Sequence, residues 1–268
     1  MKCSSIAPLR FAWLALLFAL MLVTGSAGAS EPRVFAGEAV AVGNGLARVV
    51  VAADASGAPT SVSVVMTAAA LEGLPEAHGE HPAWEYLLPM PNQGPVTGYD
   101  HVGLDWMPAG HSPDGIYSVP HFDVHFYLID ADARQAITFE GADGERYLAS
   151  PRPGLVPAGY VVPPDGAVAG MGLHGIDATG AEFQGKPFTH TFLYGYYADQ
   201  LVFVEPMVTL AYLQERGDVT VSVRTPEEYT FTGHYPTRYR IGYDAERDEY
   251  RIALGGLRPY TAAATAEQ

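Results

Sequence analysis

The sequence predicts an all-β protein, mainly an antiparallel sandwich or barrel with one or two short helices. Three observations lead there. Short apolar runs are separated by turn residues along most of the chain, as at Asn44-Gly45 and Ala55-Ser56-Gly57-Ala58-Pro59. Several runs alternate with a period of two, such as Thr60 to Met66, where Ser alternates with Val. Few stretches suit a helix, and the five prolines between Pro75 and Pro95 forbid a long one there.

Residues 1–29 are expected to be a secretory signal peptide, not part of the fold. Lys2 and Arg10 are basic, Phe11 to Val23 is a continuous apolar run of 13 residues, and Ala27-Gly28-Ala29 offers small residues for cleavage before Ser30. The run is short for a membrane span. Cys3, the one cysteine in the chain, precedes the apolar run, which argues against a lipoprotein. Residues 30–268 then form a single β-rich domain, exported to the periplasm or outside the cell, with a split near residue 95 as the alternative.

The elements follow in order. Val34 to Val42, Leu46 to Ala53 and Thr60 to Met66 read as a meander of strands. Thr67 to Leu74 suits a short helix. Trp84 to Leu88 and Val102 to Trp106 are further strands, and residues 116–130 contain the clearest one. A short helix is expected near Ala131 to Phe139, and a Pro- and Gly-rich loop over residues 151–167. Thr191 to Tyr197 and Leu201 to Glu205 form a hairpin about Ala198-Asp199-Gln200. Val208 to Leu213, Val219 to Arg224, Thr237 to Tyr243 and Glu249 to Leu254 complete the strands, and the tail after Pro259 frays.

Composition narrows the function. With 48% hydrophobic residues the chain can build an ordinary core. One cysteine in 268 residues excludes a disulfide scaffold, and its removal with the signal peptide would exclude Cys–Zn sites and thiolate catalysis. Thirty acidic residues against 15 basic give a net charge of −15, which repels nucleic acid and anionic membranes and attracts cations. The expected partner is a metal ion or small ligand, with a homo-oligomer left open.

The segment His121-Phe122-Asp123-Val124-His125-Phe126-Tyr127 carries the chemistry. On an extended strand, His121, Asp123, His125 and Tyr127 share one face, and Phe122, Val124 and Phe126 the other. The second is a core face. The first would be an odd solvent face and reads as the lining of a polar cavity. Without thiols, imidazole and carboxylate are the ligands that suit Zn, Mn, Fe or Cu. Residues two apart on a strand are separated by roughly 6.6 Å and can converge on one ion, but residues four apart are about 13 Å distant. His121 and His125 therefore cannot easily share an ion on a straight strand, so Asp123 pairs with one of them or a bulge shortens the gap. Further ligands must come from elsewhere. His111, in Gly110-His111-Ser112-Pro113-Asp114-Gly115, His174, in Leu173-His174-Gly175, and Glu205, between Val204 and Pro206, are the candidates, followed by His190. Glu205 could equally pair with an Arg. A satisfied hydrogen-bond network would leave the same pattern. His78, His81 and His234 read as surface residues, with a weak metal pair at His78/His81 as an alternative. Tyr194, Tyr196 and Tyr197 read as sheet packing more than as a carbohydrate platform.

Two stretches carry a resemblance. Gly110-His111-Ser112-Pro113-Asp114-Gly115-Ile116-Tyr117 runs into Pro120-His121-Phe122-Asp123-Val124-His125-Phe126-Tyr127. Glu182-Phe183-Gln184-Gly185-Lys186-Pro187-Phe188-Thr189 runs on to Glu205-Pro206-Met207-Val208-Thr209. Together they resemble an uncharacterised family of bacterial exported proteins, a domain of unknown function with a Thermus member under extracytoplasmic-stress sigma-factor control. The likeness covers roughly residues 34–215. It implies that His111, His121, His125, His174 and Glu205 occupy motif positions, and it supplies no reaction. Three His and one Glu are also a cupin ligand set, but the chain lacks the His-x-His spacing of a cupin, which leaves an analogy.

Three functions are consistent with these readings. The first is an exported metal-binding β protein, related to envelope stress, that senses, stores or handles a divalent ion. The second is a non-catalytic binding or assembly protein with a structural polar core. The third is a metal-dependent hydrolase or oxidoreductase, with Asp123 or Glu205 as base and Tyr127 near the substrate. No nucleophile elbow, phosphate loop or His-Glu-x-x-His helix is present in the sequence.

Overall fold

The computed structural model describes residue 1 and residues 33–77, 83–141 and 144–263. The chain forms two units, Met1–Ser30 and Glu31–Gln268, and the fold described below lies in the second. The expected signal peptide and the His78/His81 pair lie outside the described residues. Among the described residues, no helix is long and apolar enough to cross a membrane.

The strands are β1 (Arg33–Ala36), β2 (Val40–Val42), β3 (Gly45–Ala53), β4 (Pro59–Thr67), β5 (Trp84–Pro89), β6 (His101–Met107), β7 (His121–Tyr127), β8 (Tyr160–Val161), β9 (Ala167–Val168), β10 (Gly172–Asp177), β11 (His190–Tyr197), β12 (Gln200–Thr209), β13 (Val219–Ser222), β14 (Gly233–Tyr235), β15 (Arg238–Asp244), β16 (Glu249–Gly255) and β17 (Arg258–Tyr260). Three short helices, α1 (Ala131–Gln135), α2 (Gly144–Tyr147) and α3 (Leu210–Gln214), sit between them. The pairing is antiparallel. One sheet runs β1-β3-β4-β16-β15-β13, with β2 also on β3. The second runs β5-β6-β7-β12-β11-β10-β8, with β9 also on β10, and β14 pairs β17. Both main sheets have free edges, so the expected sandwich-or-barrel choice resolves to two sandwich-like open sheets.

Alternation along the strands builds the core. Val49, Val51, Val62, Val64, Met66, Ile252 and Leu254 of the first sheet join Val102, Leu104, Phe122, Val124, Phe126, Val204 and Val208 of the second in one buried cluster. The β11–β12 hairpin closes through Ala198 and Asp199, whose φ values of +50° and +61° give the double left-handed turn that matches the twist of its strands.

Several sequence expectations change. Val208 to Leu213 is not one strand. β12 continues through Pro206 to Thr209, whose side chain accepts a hydrogen bond from Tyr212 N and starts α3. The strand expected within residues 116–130 is β7, His121–Tyr127; residues 116–120 turn back on themselves before it, with Val119 N donating to Tyr117 O. The helix expected over Thr67 to Leu74 is a single tight turn, Ala68–Leu71. Arg258–Tyr260, at the start of the tail expected to fray, pairs with β14 as β17.

Candidate metal centre

The central strands of the second sheet, β6, β7, β11 and β12, are buried on both faces. The sheet's inner face belongs to the sandwich core, and its outer face presents His121, Asp123 and His125 from β7, with Asp105 from β6 and Glu205 from β12. All five are buried. Cross-strand register puts them side by side, with Asp105 opposite Asp123 and Asp123 opposite Met207. Apolar groups close the two ends of this polar strip. Tyr117, Phe188, Leu193 and Met207 lie at one, and Tyr127, Val202 and Phe203 at the other.

Two groups of three donors form within the strip. His111, from the loop before β7, joins His121 and Asp123. His174, from β10, joins His125 and Glu205. Within each group the potential ligand atoms all lie within 4.8 Å of one another. His111 Nε2 is 3.2 Å from Asp123 Oδ2, and His121 Nε2 is 3.0 Å from Asp123 Oδ1. His125 Nε2 is 3.6 Å from Glu205 Oε1, and His174 Nε2 is 3.8 Å from Glu205 Oε2. The strand is straight, so His121 and His125 fall into different groups, as a spacing of four on a strand requires.

Each imidazole is held from behind. His111 Nδ1 lies 2.6 Å from Ser112 O, His121 Nδ1 2.7 Å from Val119 O, and His174 Nδ1 2.9 Å from Gly166 O. A carbonyl oxygen only accepts, so Nδ1 carries the hydrogen in all three rings. Nε2 of the neutral ring then bears a lone pair, and that lone pair faces a carboxylate. His125 Nδ1 lies 2.8 Å from Asp105 Oδ2, which orients the fourth ring the same way. Two lone pairs facing one another repel unless a cation sits between them, either a proton or a metal ion. Burial makes the demand sharper. His121 Nε2, Asp123 Oδ1, Glu205 Oε2, both ring nitrogens of His125 and both carboxyl oxygens of Asp105 are all buried without an aligned hydrogen bond.

Electrostatics follow from this geometry. Burial disfavours charge on His111 and His125, but adjacent carboxylates outweigh it. Asp123 raises His111 to about 9, and Glu205 with Asp105 raises His125 to about 9. Burial and the nearby charge of His125 push His174 down to about 4. Burial raises Glu205, only partly opposed by His125, and it also raises Asp105. At Asp123 burial is outweighed by His121 and His111, which hold the carboxyl below its ordinary range.

All six residues named from the sequence therefore meet on one face. His190 does not. Its Nδ1 bonds Tyr239 Oη at 2.7 Å, away from the cluster. Glu205 faces imidazoles and not an Arg. Tyr194 and Tyr196 are buried and donate to Arg224 O and Leu155 O, as sheet packing requires. Sequence reasoning missed Asp105. The signal was present, because His101-x-Gly103-x-Asp105 alternates with Val102, Leu104 and Trp106 as the β7 segment does.

A family model described as "TTHB210-like: Hypothetical protein TTHB210" matches residues 54–106. That stretch runs from the turn before β4 through nearly all of β6 and includes Asp105, but ends before the six clustered residues. No curated protein and no solved structure matches the chain.

Proposed function

We propose that this is an exported protein that binds divalent transition-metal ions, drawn from Zn, Mn, Fe and Cu, through His111, His121, Asp123, His125, His174 and Glu205. One observation carries the reading. Four imidazoles, three bonded at Nδ1 to a backbone carbonyl and the fourth facing Asp105 with its Nδ1, direct Nε2 at two buried carboxylates across distances that suit a shared ion. Donor atoms of a tetrahedral site with bonds near 2.0–2.1 Å lie about 3.3 Å apart. The separations of 3.6 and 3.8 Å around Glu205 are too long for direct hydrogen bonds and close to that edge. Two His and one carboxylate in each group match the donor preference of borderline metals and leave coordination positions for water. The acidic surplus of the chain draws such cations in.

The competing reading fills the same gaps with protons and makes the strip a structural polar core. The His111–Asp123 hydrogen bond of 3.2 Å favours it locally. Metal analysis of the purified protein, before and after incubation with each of the four ions, separates the two. The metal reading expects a stoichiometric ion that falls in His121→Ala. No bound ion under any loading condition overturns it and leaves the structural core.

A further inference from the structure

If the metal-binding reading holds, the two donor groups hold their ions differently, because they are built differently. The inner group, His125, His174 and Glu205, takes its donors from β7, β10 and β12, all members of one sheet. The ladders fix those three backbones, and Asp105 on β6 backs the His125 ring. The side chains of His125 and Glu205 are 1% and 2% exposed. His174 is 15% exposed, but like the other two donors it stands on a paired strand, so no donor of this group can leave by the movement of a loop alone.

The outer group differs in one donor. His121 and Asp123 belong to β7, but His111 comes from the loop over residues 108–120, and its side chain is 35% exposed. The backbone hydrogen bonds of that loop are mostly internal. His111 N donates to Tyr117 O, and Ile116 N and Tyr117 N to Pro113 O, while Gly110 N to Met107 O and Leu210 N to Pro120 O tie its ends to β6 and α3. Its fastening is one buried side chain, Tyr117, packed among Phe188, Leu193 and Met207, with its hydroxyl donating to Glu182. The arm carrying His111 starts at Gly110, with φ +71°, where an added Cβ would lie 2.1 Å from Tyr117 O and 2.6 Å from Val119 N. Lifting His111 about Gly110 breaks a few local bonds and leaves both sheets intact, a low-energy local opening.

We propose that the protein holds two ions with separate roles. An inner ion, bound by His125, His174 and Glu205, is part of the fold. An outer ion, bound by His121, Asp123 and the hinged His111, is exchangeable and is the one handed to or taken from the surroundings. Exchange couples to the 108–120 loop, because His111 leaves its place whenever the outer ion does.

Zinc release tests this. The full mature protein is loaded with Zn(II), freed of excess, and mixed with an excess of a chromophoric zinc chelator. Two equivalents should leave in two phases separated by at least about 100-fold in rate. His111→Ala should remove the fast equivalent and keep the slow one. Gly110→Ala, which alters the hinge and no ligand, should retain both equivalents and speed the fast phase several-fold, with circular dichroism confirming the fold of each variant. A single equivalent, two equivalents in one phase, or loss of the slow phase in His111→Ala overturns the proposal and leaves metal binding standing. Wild-type protein that takes up no zinc overturns this proposal, and it overturns the metal reading with it only when Mn, Fe and Cu also fail to bind.

Discussion

Asp105 Oδ2 lies 2.8 Å from His125 Nδ1, on the opposite side of the ring from Glu205, so His125 is held between two buried carboxylates. In metal sites such a partner fixes the ring and raises the basicity of the ligating nitrogen. Asp105→Asn keeps the shape and removes the charge. The expected result is a roughly 10–100-fold loss of affinity at the inner group alone. Competition against a chelator of known affinity reads it out, and unchanged affinity removes Asp105 from any orienting role.

The pH dependence has a definite sign. In the metal-free protein His111 and His125 are raised to about 9 from an ordinary 6.5. Groups raised on folding contribute stability that is full below the unfolded value and is lost as pH rises through the folded one. The metal-free protein should therefore lose thermal stability between about pH 7 and pH 10. A bound ion replaces those protons and should flatten the decline. Melting curves with and without Zn(II) across that range check it, and parallel curves contradict the replacement.

Gly195 faces Phe203 across the β11–β12 ladder, and a Cβ at Gly195 would lie 2.0 Å from the Phe203 ring. That ring packs at 4.8 Å on His125 and 5.1 Å on His174. Gly195→Ala should push the ring toward the inner donors. The expected cost is about 1–3 kcal/mol of stability, with weaker inner-site binding. Denaturant unfolding and chelator competition measure the two effects, and a variant unchanged in both would show that the ring has room to move.

The two faces of β7 should separate cleanly. Phe126 is fully buried in the sandwich core, on the face away from the donors. Phe126→Ala should cost about 3–5 kcal/mol and leave the metal content of the folded protein unchanged. Loss of metal without loss of stability would mean that the faces are not independent.

What the sequence made legible was local. Alternation from His121 to Tyr127 marked both faces of β7, because period two is written in neighbouring residues. The spacing of His121 and His125 argued against a shared ion on a straight strand and left a bulge as the way to one; β7 pairs without a bulge. β10 was not foreseen, since Gly172-Leu173-His174-Gly175-Ile176-Asp177 is strand only through its pairing with β11 and β8. The apolar run Leu210-Ala211-Tyr212-Leu213 reads as strand, but the Thr209 cap turns it into a helix. Asp105 escaped notice because its importance depends on β6 lying beside β7, which is a tertiary fact.

Anomalous diffraction from zinc-soaked crystals, collected at the zinc edge, locates the ions themselves. One peak is expected bounded by His125 Nε2, His174 Nε2 and a Glu205 oxygen, and a second among His111, His121 and Asp123. A map with density for all six side chains and no anomalous peak between them would contradict both sites.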